Sequence, residues 1–362
     1  MIHRRHIVVG SAAWLIAATA GAANRRAKGA AAKKVALVDD GAPDVVSYGS
    51  REDVIRFADE VAERRGLDVE WVKRALAQAR FVPVVTRYIM PPTTGTAKNW
   101  AAYRARFVEP IRIRAGVAFW RANQRWLAQA EDLYGVPPEV VVGIVGVESI
   151  FGRQMGDFRV IDALATLAFD FPTGRRDRSA FFKDELENWF VLCKSEAIDP
   201  LAWRGSYAGA LGMAQFMPSS FNRYAVDFDG DGHVDLHANA ADVIGSVANY
   251  LAEFGWKRGM PARFDVKPPT ETSERAALLA PDIVPTFTAG EMVQRGAWLP
   301  EPALGVDSLL ALVELQNGDA APSYVAGTTN FYALTRYNWS SYYAMAVMEL
   351  GQAVKLAVNA AR

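Results

Sequence analysis

The chain has 362 residues, 51% hydrophobic and 11% aromatic, enough apolar material for a sizeable core and about two domains. Its 40 basic residues balance 40 acidic ones, so no cationic excess points to nucleic acid. A single cysteine and four histidines (His3, His6, His233, His237) argue against a disulfide scaffold, a Ser-His-Asp or Cys-His mechanism and a histidine-rich zinc site, which leaves carboxylates as the candidate chemical groups.

At the N-terminus, Arg4 and Arg5 precede the apolar stretch 7–18, and Ala20-Gly21-Ala22 supplies small residues at its exit. Residues 1–22 read as a cleaved secretory signal, with an uncleaved anchor as the alternative; the arginine pair also fits twin-arginine export. No cysteine stands beside the cleavage site, so no lipid anchor is expected. Residues 23–49, rich in Ala, Lys and Arg, read as a flexible lead-in.

Helices are expected from residue 50 to 133. Ser50 is placed to cap one carrying Val54, Phe57, Ala58 and Val61 and ending near Gly66. Asp68 can cap the next, with Val69, Val72, Leu76 and Ala79 on one face. A longer helix is expected from Ile111 to Tyr134, where Trp126, Leu127, Ala130, Leu133 and Tyr134 form a stripe.

The most informative stretch opens at Val136-Pro137-Pro138 and runs to Glu148-Ser149-Ile150-Phe151-Gly152. Pro138 suits the first helical turn, where its missing N–H costs nothing, and Gly152 is a plausible stop. The run between is apolar on nearly every face, so the helix should be buried. Glu148 then lies near the negative helix end among apolar neighbours. Both effects disfavour its charge and raise its pKa, which suits a general acid. The plainer reading is a glutamate that reaches solvent.

Further helices fit residues 162–169, 181–193, 242–254 and 341–358. Cys193, in Trp189-Phe190-Val191-Leu192-Cys193, reads as a buried, inert thiol. From 263 to 329 prolines and short apolar stretches predominate. There Phe264-Asp265-Val266-Lys267 followed by Pro268-Pro269 reads as a strand and turn within a small β-containing subdomain. Residues 330–362 return to helix.

The acidic loop Asp227-Phe228-Asp229-Gly230-Asp231-Gly232-His233-Val234-Asp235 alternates oxygen ligands and places Gly after the second and third Asp. This pattern matches the opening of an EF-hand loop and predicts Ca2+ or another hard cation. Asp227, Asp229, Asp231 and Asp235 are candidate ligands, with His233 where a backbone carbonyl is used. The twelfth position is Ala238 rather than Glu, so a loop spanning 227–242 would close on Asp242. The alternative is an acidic turn with Asp242 as a plain helix cap. A structural role is expected for the cation.

Several segments together resemble the lytic murein transglycosylase B family of bacterial cell-wall enzymes. They are Gly146-Val147-Glu148-Ser149 with Phe151-Gly152, Asp162-Ala163-Leu164-Ala165-Thr166-Leu167, the run from Ser206 to Ser220 containing Gly212-Met213-Ala214-Gln215-Phe216-Met217, Ile244-Gly245-Ser246-Val247-Ala248-Asn249-Tyr250, and Asn330-Phe331-Tyr332 with Thr335-Arg336-Tyr337-Asn338. The resemblance covers residue 50 to the C-terminus. It implies a mainly α, α+β fold: a lysozyme-like helical core (134–262, completed by 330–362) with an EF-hand-like calcium loop, behind an N-terminal helical domain (50–133) and interrupted by the β subdomain (263–329).

The resemblance also implies a chemistry. The family cleaves the β-1,4 bond between N-acetylmuramic acid and N-acetylglucosamine in peptidoglycan without water. One glutamic acid, matched by Glu148, gives a proton to the leaving oxygen and then takes one from the C6 hydroxyl, which closes onto C1. The product is a 1,6-anhydro end, so the usual second carboxylate is not needed. Ser206 and Asn338 match positions near the reaction centre, Gln215 and Met217 match cleft-lining positions, and Tyr103, Tyr250, Tyr337 and Tyr343 match aromatic groove positions. Arg175 or Arg176, with Arg176 favoured, matches an arginine that meets a peptide-stem or lactyl carboxylate. The implied partners are peptidoglycan glycan strands and other cell-wall enzymes, and the implied location is the periplasm, without a lipid anchor. Two alternatives stand beside this reading. One is a water-using muramidase with a second carboxylate from Asp157, Asp162 or Asp170. The other is a non-catalytic wall-binding protein of the same fold.

Overall fold

The computed structural model describes residues 47–91 and 98–360. The expected signal, 1–22, and the lead-in as far as residue 46 lie outside the described residues. The lead-in's last residues are ordered into the fold: Tyr48 is fully buried and its hydroxyl donates to Asp170 Oδ2 at 2.7 Å.

A 3-10 turn at Tyr48–Ser50 precedes α1 (Glu52–Arg65), α2 (Val69–Ala77) and α3 (Pro83–Tyr88). Ser50 does not cap α1. It sits in the 3-10 turn and donates to the Ser47 carbonyl, while Arg51 takes the cap position and Glu52 and Asp53 meet the helix dipole. The other end is as expected, with Gly66 at φ 64°. Asp68 caps α2 by accepting from Trp71 N at 2.7 Å.

After α4 (Trp100–Phe107), the long helix expected at Ile111–Tyr134 is two helices, α5 (Pro110–Ala122) and α6 (Gln124–Tyr134). Asn123 breaks it. Its backbone leaves the helical region, and its side chain turns back onto the Phe119 carbonyl at 2.9 Å, which satisfies the end of α5.

Next come α7 (Pro138–Ser149), β1 (Phe158–Arg159), α8 (Val160–Phe169), α9 (Ser179–Ser195), β2 (Arg204–Gly205), α10 (Pro218–Tyr224) and α11 (Ala240–Glu253). The helices α7 and α8 are buried along nearly their whole length, as apolar-all-round helices must be. Asp162 lies inside α8 rather than capping it. It pairs with Arg159 at 2.7 Å and accepts from Arg80 N. Cys193 is buried, and its surroundings push the thiol pKa up.

The rest of the chain holds β3 (Arg263–Asp265), α12 (Thr272–Leu279), α13 (Ala289–Gln294), α14 (Glu301–Leu304), β4 (Ala311–Asn317), β5 (Ala320–Gly327), α15 (Thr329–Tyr337) and α16 (Ser341–Ala360). The strands form an antiparallel sheet in the order β3-β5-β4. Alternation along them divides two cores. Ala311, Val313, Leu315 and Val325 face the large helical core, while Leu312, Ala326 and Phe264 join a smaller cluster with Leu278, Met292 and Ala303 from α12 to α14. The fold is mainly helical with small antiparallel sheets, the second being the pair β1-β2. Among the described residues no helix is long and apolar enough to cross a membrane.

Candidate active site

Two helices set the centre of the site. A Cβ on Gly143 of α7 would lie 2.2 Å from the Val347 carbonyl oxygen, and one on Gly351 of α16 would lie 1.9 Å from the Glu139 carbonyl oxygen. Only glycine permits this backbone-to-backbone contact. The close seam fixes α16 against α7 and brings Tyr343, near the start of α16, onto Glu148, near the end of α7. The Tyr343 hydroxyl donates to Glu148 Oε1 at 2.6 Å. This is the contact that the sequence reading missed. Tyr343 was expected as a groove aromatic. It is instead 1% exposed and acts on the carboxyl itself.

Glu148 is half-buried, and its second oxygen takes no hydrogen bond among the described residues. Burial raises its pKa to about 7, with the Tyr343 hydrogen bond pulling in the opposite direction. Tyr103, Tyr337 and Tyr343 surround it. Burial raises the pKa of each phenol, and the nearby charge of Glu148 raises it further. All three hydroxyls therefore remain protonated donors.

The helix does not run on to Gly152. It stops at Ser149, and Ile150 and Phe151 take left-handed backbones with φ of 50° and 56°. Such a conformation is costly for a β-branched residue, so tertiary bonds must hold it. Ser149 Oγ supplies them by donating to the Met213 carbonyl at 2.8 Å and accepting from Gly152 N at 3.0 Å. The abrupt stop leaves Glu148 at the lip of the helix.

The loop from Ser206 to Met217 is tied against this end at three points. Besides Ser149 on Met213, the Gln215 side chain donates to the Met155 carbonyl at 3.2 Å, and the Tyr337 hydroxyl donates to the Ala214 carbonyl at 2.5 Å. Ser206 Oγ accepts from Ala208 N and Ala210 N and so shapes the loop's own turn. Asn338 caps the end of α15, directly after Tyr337. Met217 and Tyr250 are 5% and 2% exposed. The Tyr250 hydroxyl is committed to the Arg336 carbonyl, and its ring lies 4.8 Å from that of Tyr337, so Tyr250 supports Tyr337 from within the core. Arg176 is exposed and has no hydrogen bond or ion pair among the described residues; its neighbour Arg175 bonds the Ile89 carbonyl and lies near Tyr207. The structure does not join Arg176 to the group around Glu148.

The residues weighed as a second carboxylate are engaged elsewhere or exposed. Asp162 holds Arg159 and Arg80 N, Asp170 pairs with Arg51 and Tyr48, and Asp157 is exposed.

In the acidic loop, Asp227, Asp229 and Asp242 bring ligand oxygens within 4.8 Å of one another. Asp242 is fully buried and accepts from Phe228 N and Asp235 N, and burial raises its pKa. It is not the helix cap; Asn239 is. The other expected ligands stand outside the cluster. Asp231 accepts from His233 N, and Asp235 accepts from His237 N and Ala238 N, much as Asp227 within the cluster accepts from Gly230 N, Asp231 N and Gly232 N. His233 likewise stands outside it. The three gathered carboxylates are a donor set of hard oxygens, which fits Ca2+.

Comparison with known proteins finds relatives over most of the chain. Residues 49–352 match the family model described as the transglycosylase SLT domain. The chain is 37% identical over 325 residues to the membrane-bound lytic murein transglycosylase B of Escherichia coli K12, covering 86% of this chain and 84% of that protein. Among solved structures it resembles the catenated lytic transglycosylase SltB1 of Pseudomonas aeruginosa (TM-score 0.78, 38% identity, 86% of this chain and 99% of that one). It also resembles the E. coli lytic transglycosylase Slt35 in complex with calcium (TM-score 0.73, 37% identity, 86% and 95%). A further match is SltB3 of P. aeruginosa in complex with NAG-anhNAM-pentapeptide (TM-score 0.71, 31% identity, 84% and 79%).

Proposed function

We propose a mechanism for a chain that belongs to the transglycosylase SLT family and is a lytic murein transglycosylase. The bond cleaved is the β-1,4 link from N-acetylmuramic acid to N-acetylglucosamine. Glu148 begins protonated and gives its proton to the glycosidic oxygen as the C1–O bond breaks. The resulting carboxylate then takes the proton of the muramic-acid C6 hydroxyl, whose oxygen bonds to C1. No water is consumed, and the acid is regenerated in its starting form. The reading rests above all on the state of Glu148: with a pKa of about 7, both its acid and base forms are available near neutrality.

The surrounding groups have distinct parts in this scheme. Tyr343 holds one oxygen of Glu148 and leaves the other for the substrate. Ser206 and Asn338 orient the N-acetyl group and meet the charge that develops at C1. Gln215, Met217, Tyr103 and Tyr337 line the glycan path, with Tyr250 behind Tyr337, and Arg176 meets a carboxylate of the peptide or lactyl group. The matched SltB3 complex supports a muropeptide as ligand.

Asp227, Asp229 and Asp242 hold Ca2+ in this reading, as the calcium complex of Slt35 supports. The ion supplies charge neutralisation between α10 and α11 and takes no part in bond cleavage. The enzyme is exported and works on the wall in the periplasm. In the test, Glu148→Gln binds purified sacculi but releases no soluble muropeptides. Release at the unmodified rate by a folded Glu148→Gln protein would remove Glu148 from the mechanism.

A further inference from the structure

The short turn between α15 and α16 carries a feature that the mechanism does not use. Its flanks touch the reaction centre: Tyr337 lies within the field of Glu148, and Tyr343 bonds it. Between them stands Trp339, 47% exposed. An exposed indole alone says little. This one is held in place from below. The Arg336 guanidinium lies 4.0 Å from the Trp339 ring centroid and 4.9 Å from that of Tyr332, and Tyr332 packs edge-on to Trp339 at 6.3 Å and 80°.

Arg336 is itself unusual. It is only 4% exposed, donates through Nη1 to the Tyr332 hydroxyl at 2.7 Å, and its buried Nη2 has no hydrogen-bond partner among the described residues. A buried cation with an unmet donor is costly unless something offsets it. Here two aromatic rings do so, and the Trp339 indole is fixed on the cation while staying 47% exposed. Two residues of chain reach at most about 7 Å, so the backbone of Trp339 stands close to that of Tyr337, while its indole packs on Arg336 and Tyr332.

We propose that Trp339 is a stacking platform for an N-acetylhexosamine ring of the glycan strand beyond the bond being cut, and that Arg336 is the residue that positions it. The inference rests on the glycan-cleaving reading above. A sugar presents a face of C–H groups that an indole can cover, and a ring already fixed in orientation loses little entropy on binding. Covering roughly 60 Å² of apolar ring corresponds to about a tenfold gain in affinity.

The test is calorimetric binding of purified, uncrosslinked glycan strands to the full chain in the Glu148→Gln background. Trp339→Ala is expected to weaken binding about tenfold and, by uncovering the Arg336 cation, to lower the melting temperature slightly, whereas Trp339→Phe is expected to retain most of the binding and of the melting temperature. Trp298→Ala removes a similarly exposed tryptophan, 52% exposed beside Lys267 in the smaller cluster's region, and is expected to change nothing. Arg336→Met should weaken strand binding when Trp339 is present and add no further loss when it is alanine, a non-additivity that general loosening of the fold would not produce. Equal affinity for Trp339→Ala and the parent, or an equal loss with Trp298→Ala, overturns the platform. Failure of the unmodified enzyme to cleave strands, with the Trp339 effect on binding intact, would instead overturn the mechanism and leave the platform standing.

Discussion

Two glutamates in this molecule have pKa values raised alike by burial and opposite surroundings. Burial raises both Glu148 and Glu185 to a pKa of about 7. Glu185, on α9, is 2% exposed, and both its oxygens are occupied: Ser219 Oγ donates to one at 2.7 Å and Ser219 N to the other at 2.9 Å, which anchors the start of α10. Glu148 is half-buried, with a single phenol on one oxygen. A raised pKa therefore does not by itself make a general acid. What separates the two is that Glu148 is only half-buried and keeps one oxygen without a hydrogen bond among the described residues.

Substitution by glutamine sharpens the contrast most. Glu148→Gln should lower muropeptide release by about 10³-fold or more, measured as initial rate on purified sacculi. Glu185→Gln should keep activity within about tenfold and lose about 1–3 kcal/mol of stability, measured by urea unfolding, because an amide has one acceptor where two are needed. If the two variants lost activity equally, accessibility would not be the deciding difference.

The next effect is smaller and concerns direction. The Tyr343 hydrogen bond holds the Glu148 pKa down. Tyr343→Phe should therefore move the alkaline limb of the pH–rate profile to higher pH and, by making Glu148 a weaker acid and freeing its carboxyl to turn, cost roughly tenfold near pH 7. A limb that moved to lower pH would contradict the contact.

Linkage gives the same pair a stability signature. For each glutamate the folded pKa lies above the unfolded one, so no penalty exists below pH 4.5, where both states are protonated. Stability then falls as pH rises from the ordinary glutamate value of 4.5 to about 7, where the folded state finally ionises. Each contributes at most about 3 kcal/mol across that window. Glu148→Gln should remove its share and be more stable than the parent above pH 7, the usual relation between a buried functional group and fold stability.

The smallest effect belongs to the acidic loop. Chelation should lower the melting temperature by roughly 2–4 °C for each kcal/mol of calcium-linked stability, and added Ca2+ should restore it. An unchanged melting curve would rule out the ion as a structural support.

Much of this site is written locally in the chain. Pro138 starts α7, Asp68 caps α2, and the apolar run predicts a buried carboxyl at Glu148. The mainly helical fold with a small sheet is legible in the same way. What local pattern does not carry is the contact between distant segments. Tyr343 is 195 positions from Glu148, and their meeting depends on Gly143 and Gly351 facing each other across two helices. The helix stop at Ile150, where Gly152 was the natural choice, depends on Ser149 bonding a loop 64 residues away. Asn123 divides α5 from α6 by a side-chain bond that competes with an otherwise continuous helical stripe. In the acidic loop, alternation marks every Asp as a candidate ligand, and only the fold shows that Asp227 and Asp229 meet Asp242 from the following helix.

The central claim is that one carboxyl, not two, acts at the glycosidic bond, with the sugar's own C6 oxygen replacing water. Mass spectrometry of the muropeptides released from sacculi by the pure enzyme tests it most directly. The account predicts muramic-acid ends lighter by one water, the 1,6-anhydro form, as the main product from the first turnovers. Predominantly reducing muramic-acid ends, carrying solvent oxygen when the reaction is run in labelled water, would contradict it.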